Sequence, residues 1–260
     1  MRYKALNNHS YSSFRNALRL LNLFSLDEPE LNLSEIAERL NVATSTAHRL
    51  VHTLMNNGFL VKDPISKCFR PASSILSMGN LFLAKYKLYQ TAVPILENLT
   101  ETTGETAHIA ILKGNKVVYL YKIDSEHPVH LLSHAGRQNP IHCTSSGQVI
   151  LAFQSKAKID CIVNQDLTRY TEYTITNPKI LKQQLSTIKK QGYAVSHEEM
   201  HKGVTSIAAP IKSGQGTVNA SVSIAGPTSR ITQLKLDSLC TLVKRAASTI
   251  ENLSFNKTKA

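Results

Sequence analysis

The sequence has no run of apolar residues long enough to cross a bilayer, and its first residues, MRYKALNNHSYSSF, carry no continuous hydrophobic signal core. Both absences point to the cytoplasm, and no membrane partner is expected. Cysteine is scarce: Cys68, Cys143, Cys161 and Cys240 are scattered and form no C-x-x-C pair. That argues against a structural zinc site or a disulfide framework and fits a reducing compartment. No G-x-S-x-G elbow is present, and no carboxylate stands ready to orient a base beside Cys143 or Ser146. The expectation is a protein that is not an enzyme, with no catalytic residue and no cofactor. His127, His130, His134 and His142 fall within sixteen residues. On a strand, however, 127 and 130 face opposite sides and 130 and 134 lie well apart, so no metal site is assigned.

The most informative absence is local. Residues 43–60, ATSTAHRLVHTLMNNGFL, contain no Asp or Glu at all. An ordinary surface helix gains its polar side from Lys and Glu. This one sets Ser45, Thr46, His48, Arg49, His52 and Thr53 opposite Ala47, Leu50, Val51 and Leu54. A helix destined for a B-DNA groove needs donors that reach base edges, and carboxylates there are repelled by phosphates.

What surrounds that helix fits the same purpose. Phe14, Ala17, Leu18 and Leu21 follow the i, i+3, i+4, i+7 rule, which predicts a first amphipathic helix with those residues inward. In NLSEIAERL, Asn32 and Glu35 are spaced as a capping box, and Leu33, Ile36, Ala37 and Leu40 give the second helix its apolar face. Asn41-Val42-Ala43 is a three-residue turn, and Asn tolerates the left-handed conformation that ends a helix. Two short helices joined this way make a helix-turn-helix. After Gly58, FLVKD and KCFRP are strand-like runs around an Asp-Pro turn, decorated by Lys62, Lys67 and Arg70. The whole reads as a winged helix-turn-helix over residues 11–73. Thr44, Ser45, Thr46, His48, Arg49 and His52 are its candidate DNA contacts, with Lys62, Lys67 and Arg70 on the wing. Arg49 suits a guanine, and the hydroxyls suit phosphates or bases.

The formal net charge of +12 accords with a polyanionic partner. Yet residues 1–75 hold nine Lys/Arg against six Asp/Glu, and residues 76–260 hold 21 against 12, so most of the excess lies away from the DNA-binding candidate. The patterned helix carries the nucleic-acid argument; the total does not.

At 260 residues two domains are expected. Residues 74–88 read as a linker helix, in a helical stretch that Gly79 and Pro94 are expected to interrupt. Leu76, Leu81, Leu83 and Leu88 make it too apolar for a free linker, which suggests a second copy of the chain packed against it, the alternative being docking against the chain's own C-terminal domain. Past Gly104 the period changes. TAHIAIL and KVVYLYKI are strands joined by KGN, PVHLLSH reads as another, and QVILAFQ begins a helix. Asn177, Pro178 and Gly192 bracket a well-marked helix. YAVS, TSIAAPI and TVNASVSIAG are strands, and a last helix runs from about Ser229 to Leu253. Strands in meander order with helices to one side predict an α+β sensor-type domain over residues 89–255.

This order of motifs resembles the isocitrate-lyase-regulator (IclR) family of bacterial transcriptional regulators. The resemblance rests on LSEIAERL, TSTAHRLVHTLMNNGFL, TGETAHIA, VVYLYKID, GRQNPIHCTSSGQVILA, GYAVSHEEMHKGVTSIAAPI and ASVSIAGPTSRI. It implies a winged helix-turn-helix joined by a helix to a GAF/profilin-like effector-binding domain, assembled as a homodimer or homotetramer. It also implies an effector pocket, which in this chain maps to Ser145, Ser146, Ser196, Ser206 and Ser223. The chain departs from the family where Ser-Lys-Ser-Thr becomes Ala43-Thr44-Ser45-Thr46, where Gly-Lys becomes Gly147-Gln148, and where an Asp becomes Ser196. Thr144, Ser145 and Ser146 stand just before a helix, where backbone N–H groups and hydroxyls suit a carboxylate.

The expectation is therefore a sequence-specific transcriptional regulator, a repressor, that binds double-stranded operator DNA and answers to a small carboxylate effector, a sugar acid or keto acid. The alternative is an architectural or weakly specific DNA-binding protein whose C-terminal domain only oligomerises.

Overall fold

The computed structural model describes residues 13–128 and 133–255. The chain divides into two compact units, Met1–Lys85 and Tyr86–Ala260.

In the first unit three helices, α1 (Ser13–Leu21), α2 (Leu33–Leu40) and α3 (Thr44–Asn56), precede a hairpin of β1 (Leu60–Lys62) and β2 (Phe69–Pro71). Local chemistry sets the turn between α2 and α3. Asn32 Oδ1 accepts from the Glu35 N–H at 3.0 Å while Glu35 Oε2 accepts from the Asn32 N–H at 2.8 Å, the reciprocal capping box. Asn41 ends α2 in the left-handed region at φ 55°. Ile36, Leu40, Ala47, Leu50, Val51, Leu54, Leu60 and Phe69 form one core beneath the two helices and the hairpin. Leu31 bridges Phe69 and adds a third, single-residue strand to the wing.

Helix α1 departs from its periodicity. Leu20 and Asn16 are the side chains it buries, Ala17 and Leu21 are partly buried, and Phe14 and Leu18 stay 74% and 48% exposed. Its apolar stripe is wider than the surface that α2 and α3 offer it. Helix α4 (Ser73–Lys85) runs straight through Gly79 and buries none of its residues. The helical stretch breaks instead at Tyr86, in extended conformation, and α5 (Lys87–Thr103) carries Pro94 inside it. Gly79 and Pro94 are thus not the interruptions that the sequence suggests. Leu88, Ala92, Leu96 and Leu99 hold α5 in the core of the second unit, and that packing outweighs the hydrogen bond lost at Pro94.

The second unit is an α+β domain around a six-stranded antiparallel sheet in the order β5-β4-β3-β8-β7-β6. The strands are β3 (Thr106–Lys113), β4 (Lys116–Ile123), β5 (Gln138–Pro140), β6 (Ala194–His197), β7 (Val204–Lys212) and β8 (Val218–Pro227). Two three-stranded meanders therefore meet along β3 and β8. The expected strand PVHLLSH is not found at Ser133 and His134, and its residues 129–132 lie outside the described residues. The extra strand β5 falls in what reads as loop.

Helices cover both faces of the sheet, not one. Ala107, Ile109, Ile207, Ala209, Val222 and Ile224 pack on α5 and on α9 (Gln233–Phe255). Ala110, Val117, Ala194 and Ala208 point the other way, into a second core shared with α6 (Ser145–Ala152), α7 (Lys156–Val163) and α8 (Pro178–Gln191). Strand alternation makes both faces apolar at once, which is why the pattern alone does not place the helices. Asn177 caps α8 and Gly192 ends it at φ 78°. Glu105, at the start of β3, receives a bidentate contact from Arg230 at 2.9 and 2.7 Å, which ties the sheet to the segment before α9.

Candidate functional site

The polar side of α3 is built by the residues beneath it. Ala47, Leu50, Val51 and Leu54 are buried, so Thr44, Ser45, His48, Arg49, His52 and Thr53 must face outward, and all are exposed; Thr46 is half-buried. Ala43 begins the helix without a side-chain cap, which leaves the first-turn N–H groups facing solvent beside the Thr44 and Ser45 hydroxyls. His48 and His52 stack with ring centroids 6.2 Å apart, and His52 Nδ1 meets Asn56 Nδ2 at 3.2 Å. No acidic residue lies on the helix.

The wing stands beside this face. Asp63 Oδ1 accepts from the N–H groups of Ile65 and Ser66 at 2.9 and 2.8 Å, closing the tip into a tight turn and holding its carboxyl below the usual range. Lys67 adopts φ 59° and its Nζ donates to the Pro64 carbonyl at 2.7 Å. Lys62, Lys67 and Arg70 are all exposed. A groove of about 480 Å³ runs between α3, the start of α2 and the wing, lined by His48, His52, Lys62 and Lys67 together with Asn32 and Ser34. The nine sequence-predicted contacts therefore lie on one module, six on α3, of which Thr46 is half-buried and the rest exposed, and three on the wing. Asn32 and Ser34 at the groove edge are additions; the capping role of Asn32 masks it in the sequence.

The second site lies under the N-terminus of α6. Strand register places Ser196 opposite Ser206, Ser206 opposite Ala225, and His108 opposite Ser223, all on the sheet face that looks toward α6. Thr144 caps α6, accepting from the Gly147 N–H at 3.1 Å and donating to the Pro140 carbonyl at 3.0 Å. Gly147 has no substitute here, because a Cβ on it would run into the Ile141 backbone. Ser145 Oγ donates to Ser206 Oγ at 2.8 Å, and Ser146 Oγ to Ser223 Oγ at 2.9 Å. Ser196 Oγ donates to the Cys143 carbonyl at 3.3 Å. These residues enclose a cavity of about 40 Å³. Four of the five nominated serines line it; Ser146 sits behind the wall and reaches it through Ser223.

The lining also holds groups that the sequence does not announce: His108, Tyr119, Ser133, Asn139 and His201. His108 is wholly enclosed, which pushes its imidazole down to about 3 and keeps it neutral, and its Nε2 meets Ser133 Oγ at 2.8 Å. Among the described residues no Lys or Arg lines the cavity. What the site offers an incoming molecule is hydroxyls, neutral imidazoles, a phenol, an amide and the start of a helix.

Neither nucleophilic nor metal chemistry is assembled there. Burial raises the Cys143 thiol far above its ordinary value, and its Sγ contacts Met200 Sδ at 3.6 Å. The His142 ring turns away to the Thr168 carbonyl at 3.0 Å. Among the described residues no three His, Cys, Asp or Glu side chains are grouped to hold a metal, and His130 lies outside those residues. Among the described residues no helix is long and apolar enough to cross a membrane.

Comparison with known proteins covers both units. Residues 13–64 match the model of the IclR helix-turn-helix domain, and residues 81–252 match that of the bacterial transcriptional regulator IclR C-terminal region. The HTH-type transcriptional regulator BhcR of Paracoccus denitrificans is 32% identical over 92% of this chain and 85% of its own length. The crystal structure of an IclR transcriptional regulator from Alicyclobacillus acidocaldarius superposes with a TM-score of 0.85 at 26% identity, covering 95% of this chain and 100% of that one. An IclR homolog from Microbacterium hydrocarbonoxydans, complexed with 4-hydroxybenzoate, superposes with a TM-score of 0.83 at 26% identity, covering 93% and 98%.

Proposed function

The chain belongs to the IclR family of bacterial transcriptional regulators, and from that premise we propose that it is a sequence-specific repressor released or engaged by a small carboxylate. It is a DNA-binding regulator and not an enzyme. In this reading residues 11–73 bind operator DNA, 74–88 link, and 89–255 bind the effector and oligomerise in the cytoplasm. The single observation that carries it is the exposed, acid-free side of α3 beside a basic wing.

Arg49 reads a guanine edge with its two-pronged guanidinium, and His48, His52 and Thr46 flank it in the major groove. The uncapped N–H groups at Thr44 and Ser45 take a phosphate oxygen, helped by their hydroxyls. Lys62, Lys67 and Arg70 neutralise phosphates alongside. A single recognition helix needs a two-fold partner to reach two half-sites. Phe14 and Leu18 on α1, with Leu76, Met78, Leu81 and Phe82 on α4, are large apolar side chains left exposed, and a second copy covering them is the reading they support. Repression is proposed because it requires no contact with polymerase.

The effector is a sugar acid or keto acid held by Ser145, Ser146, Ser196, Ser206 and Ser223. Hydroxyls converging on the first turn of α6 suit a carboxylate, and the ligand seen with the Microbacterium hydrocarbonoxydans relative is itself one. The cavity of about 40 Å³ takes the carboxylate end; the remainder of a larger acid requires the lining to open.

The test is a titration of operator binding with pyruvate, gluconate and 4-hydroxybenzoate at fixed salt. An effector shifts DNA affinity by a factor in the range of about 5–150. No change with any acid of these classes refutes the carboxylate control.

A further inference from the structure

Behind the serine-lined wall lies a carboxyl group that neither DNA reading nor the lining itself employs. Glu199, just past β6, is 5% exposed. Its Oε2 accepts from Gln148 Nε2 at 2.8 Å, and it is also approached by the Gln184 amide, the Ile175 N–H and the Ser196 hydroxyl. Gln148 is held in turn, donating to the His142 carbonyl at 2.9 Å and accepting from Gln184 at 3.2 Å. Thr174 Oγ1 donates to the Glu199 carbonyl at 2.7 Å, so the residue does not swing outward. Each of these partners is uncharged.

Among the described residues, the other ionisable groups around it leave it without a counter-ion. From the loop before α6, Cys143 is kept a neutral thiol, and His142 is lowered by burial and turned to Thr168. From α8, Lys182 is engaged by Asp160 at 2.6 Å. Along its own segment, Glu198 binds the Gly203 N–H and lies 3.7 Å from His197, and His201 is lowered by burial and by Arg137. Tyr170, from the loop that packs over Cys143, is raised by burial. A carboxylate enclosed this way is stabilised by hydrogen bonds alone, and burial pushes Glu199 up to about 7 against their pull.

Glu199 stands directly behind the cavity, because the next two residues, Met200 and His201, line it, as do Cys143 and Ser196. A hydroxyl has one proton to give, and Ser196 gives its proton to the Cys143 carbonyl. What Glu199 presents to an incoming anion is therefore its charge. Protonation removes that negative charge from directly behind the wall, which favours an anion.

We propose that Glu199, behind the wall of the effector pocket, gives up its charge when an anion enters, so that capture of a carboxylate is accompanied by uptake of one proton from solvent onto Glu199. This rests on the carboxylate reading of the pocket. It makes the regulator respond to the anion and to acidity together.

Calorimetric titration of the full chain with pyruvate, gluconate and 4-hydroxybenzoate at pH 6, 7 and 8 tests it, each in two buffers of different ionisation heat. Any acid that binds should bind about tenfold more weakly at pH 8 than at pH 6. At pH 8 the heats in the two buffers should differ, reporting net proton uptake. In Glu199→Gln both effects should vanish. Carbon-13 glutamate labelling of the wild type gives a measurement independent of that variant's folding: one carboxyl resonance should titrate near neutrality and move to higher pH on adding the acid. An acid that binds equally at pH 6 and 8, or a pH dependence that survives in Glu199→Gln, overturns the role of Glu199 and leaves the carboxylate pocket standing. No binding by any of the three acids at any pH removes the carboxylate reading, and this proposal with it.

Discussion

Changing Glu199 to Gln should change how the protein's stability responds to pH, whatever the ligand. Burial raises the carboxyl from 4.5 to about 7. Between those values the native chain retains a proton that the unfolded chain has released. Its contribution to stability is therefore complete below pH 4.5 and is lost as pH rises through about 7. From pH 5 to pH 8 that loss is roughly 2.5 kcal/mol. Gln cannot ionise, so the variant escapes the loss. Gln also aims an amide at the Gln148 donor, at a cost of about 1–3 kcal/mol, but that cost does not depend on pH. The informative quantity is thus the wild-type minus variant difference at each pH. It should move by roughly 2.5 kcal/mol in favour of Glu199→Gln between pH 5 and 8. Urea unfolding followed by far-UV circular dichroism serves, since the sequence has no Trp for fluorescence. A difference constant across that range to within about 0.5 kcal/mol refutes the buried, cation-free description of Glu199.

Other perturbations separate the two sites. Arg49→Ala should cost about 1–3 kcal/mol of specific binding and relax preference at one base pair, measured by competition among single-base operator variants. Lys67→Ala should weaken binding to all duplexes alike and reduce the slope of log affinity against log salt by about one. Asn32→Ala removes half of the capping box and should lower the stability of the DNA-binding unit by about 1 kcal/mol, read from its melting transition. Gly147→Ala drives a methyl into the Ile141 backbone, so it should abolish effector response before it abolishes folding, because the strain lands on the first turn of α6. An unaltered effector response in that variant contradicts the placement of α6 over the pocket.

The DNA-binding unit was legible because its determinants are local. The capping box, the left-handed Asn41 and the spacing of Ala47, Leu50, Val51 and Leu54 each act within one or two turns. Helix α1 misled because Phe14 and Leu18 have the period of core residues whether a core or another surface covers them. In the second unit, strands with clear alternation were recognisable, while β5 has only three residues and no pattern of its own. Both faces of the central strands are apolar, so the second helical layer had no distinguishing signal. The serines of the pocket were reached through resemblance. His108, Tyr119, Asn139 and Glu199 were not, because each acquires its meaning from partners far along the chain, as His108 does from Ser133.

The central claim is that the acid-free side of α3 reads a DNA duplex. Selection of bound fragments from a random pool of double-stranded DNA, at low salt and then at physiological salt, tests it most directly. Enrichment of a two-fold symmetric sequence is expected, with half-sites about one helical turn, or a multiple of it, apart, and that enrichment should be lost in Arg49→Ala while bulk DNA binding persists. A chain that retains no duplex even at low salt, or an Arg49→Ala variant that enriches the same sequence as wild type, contradicts it.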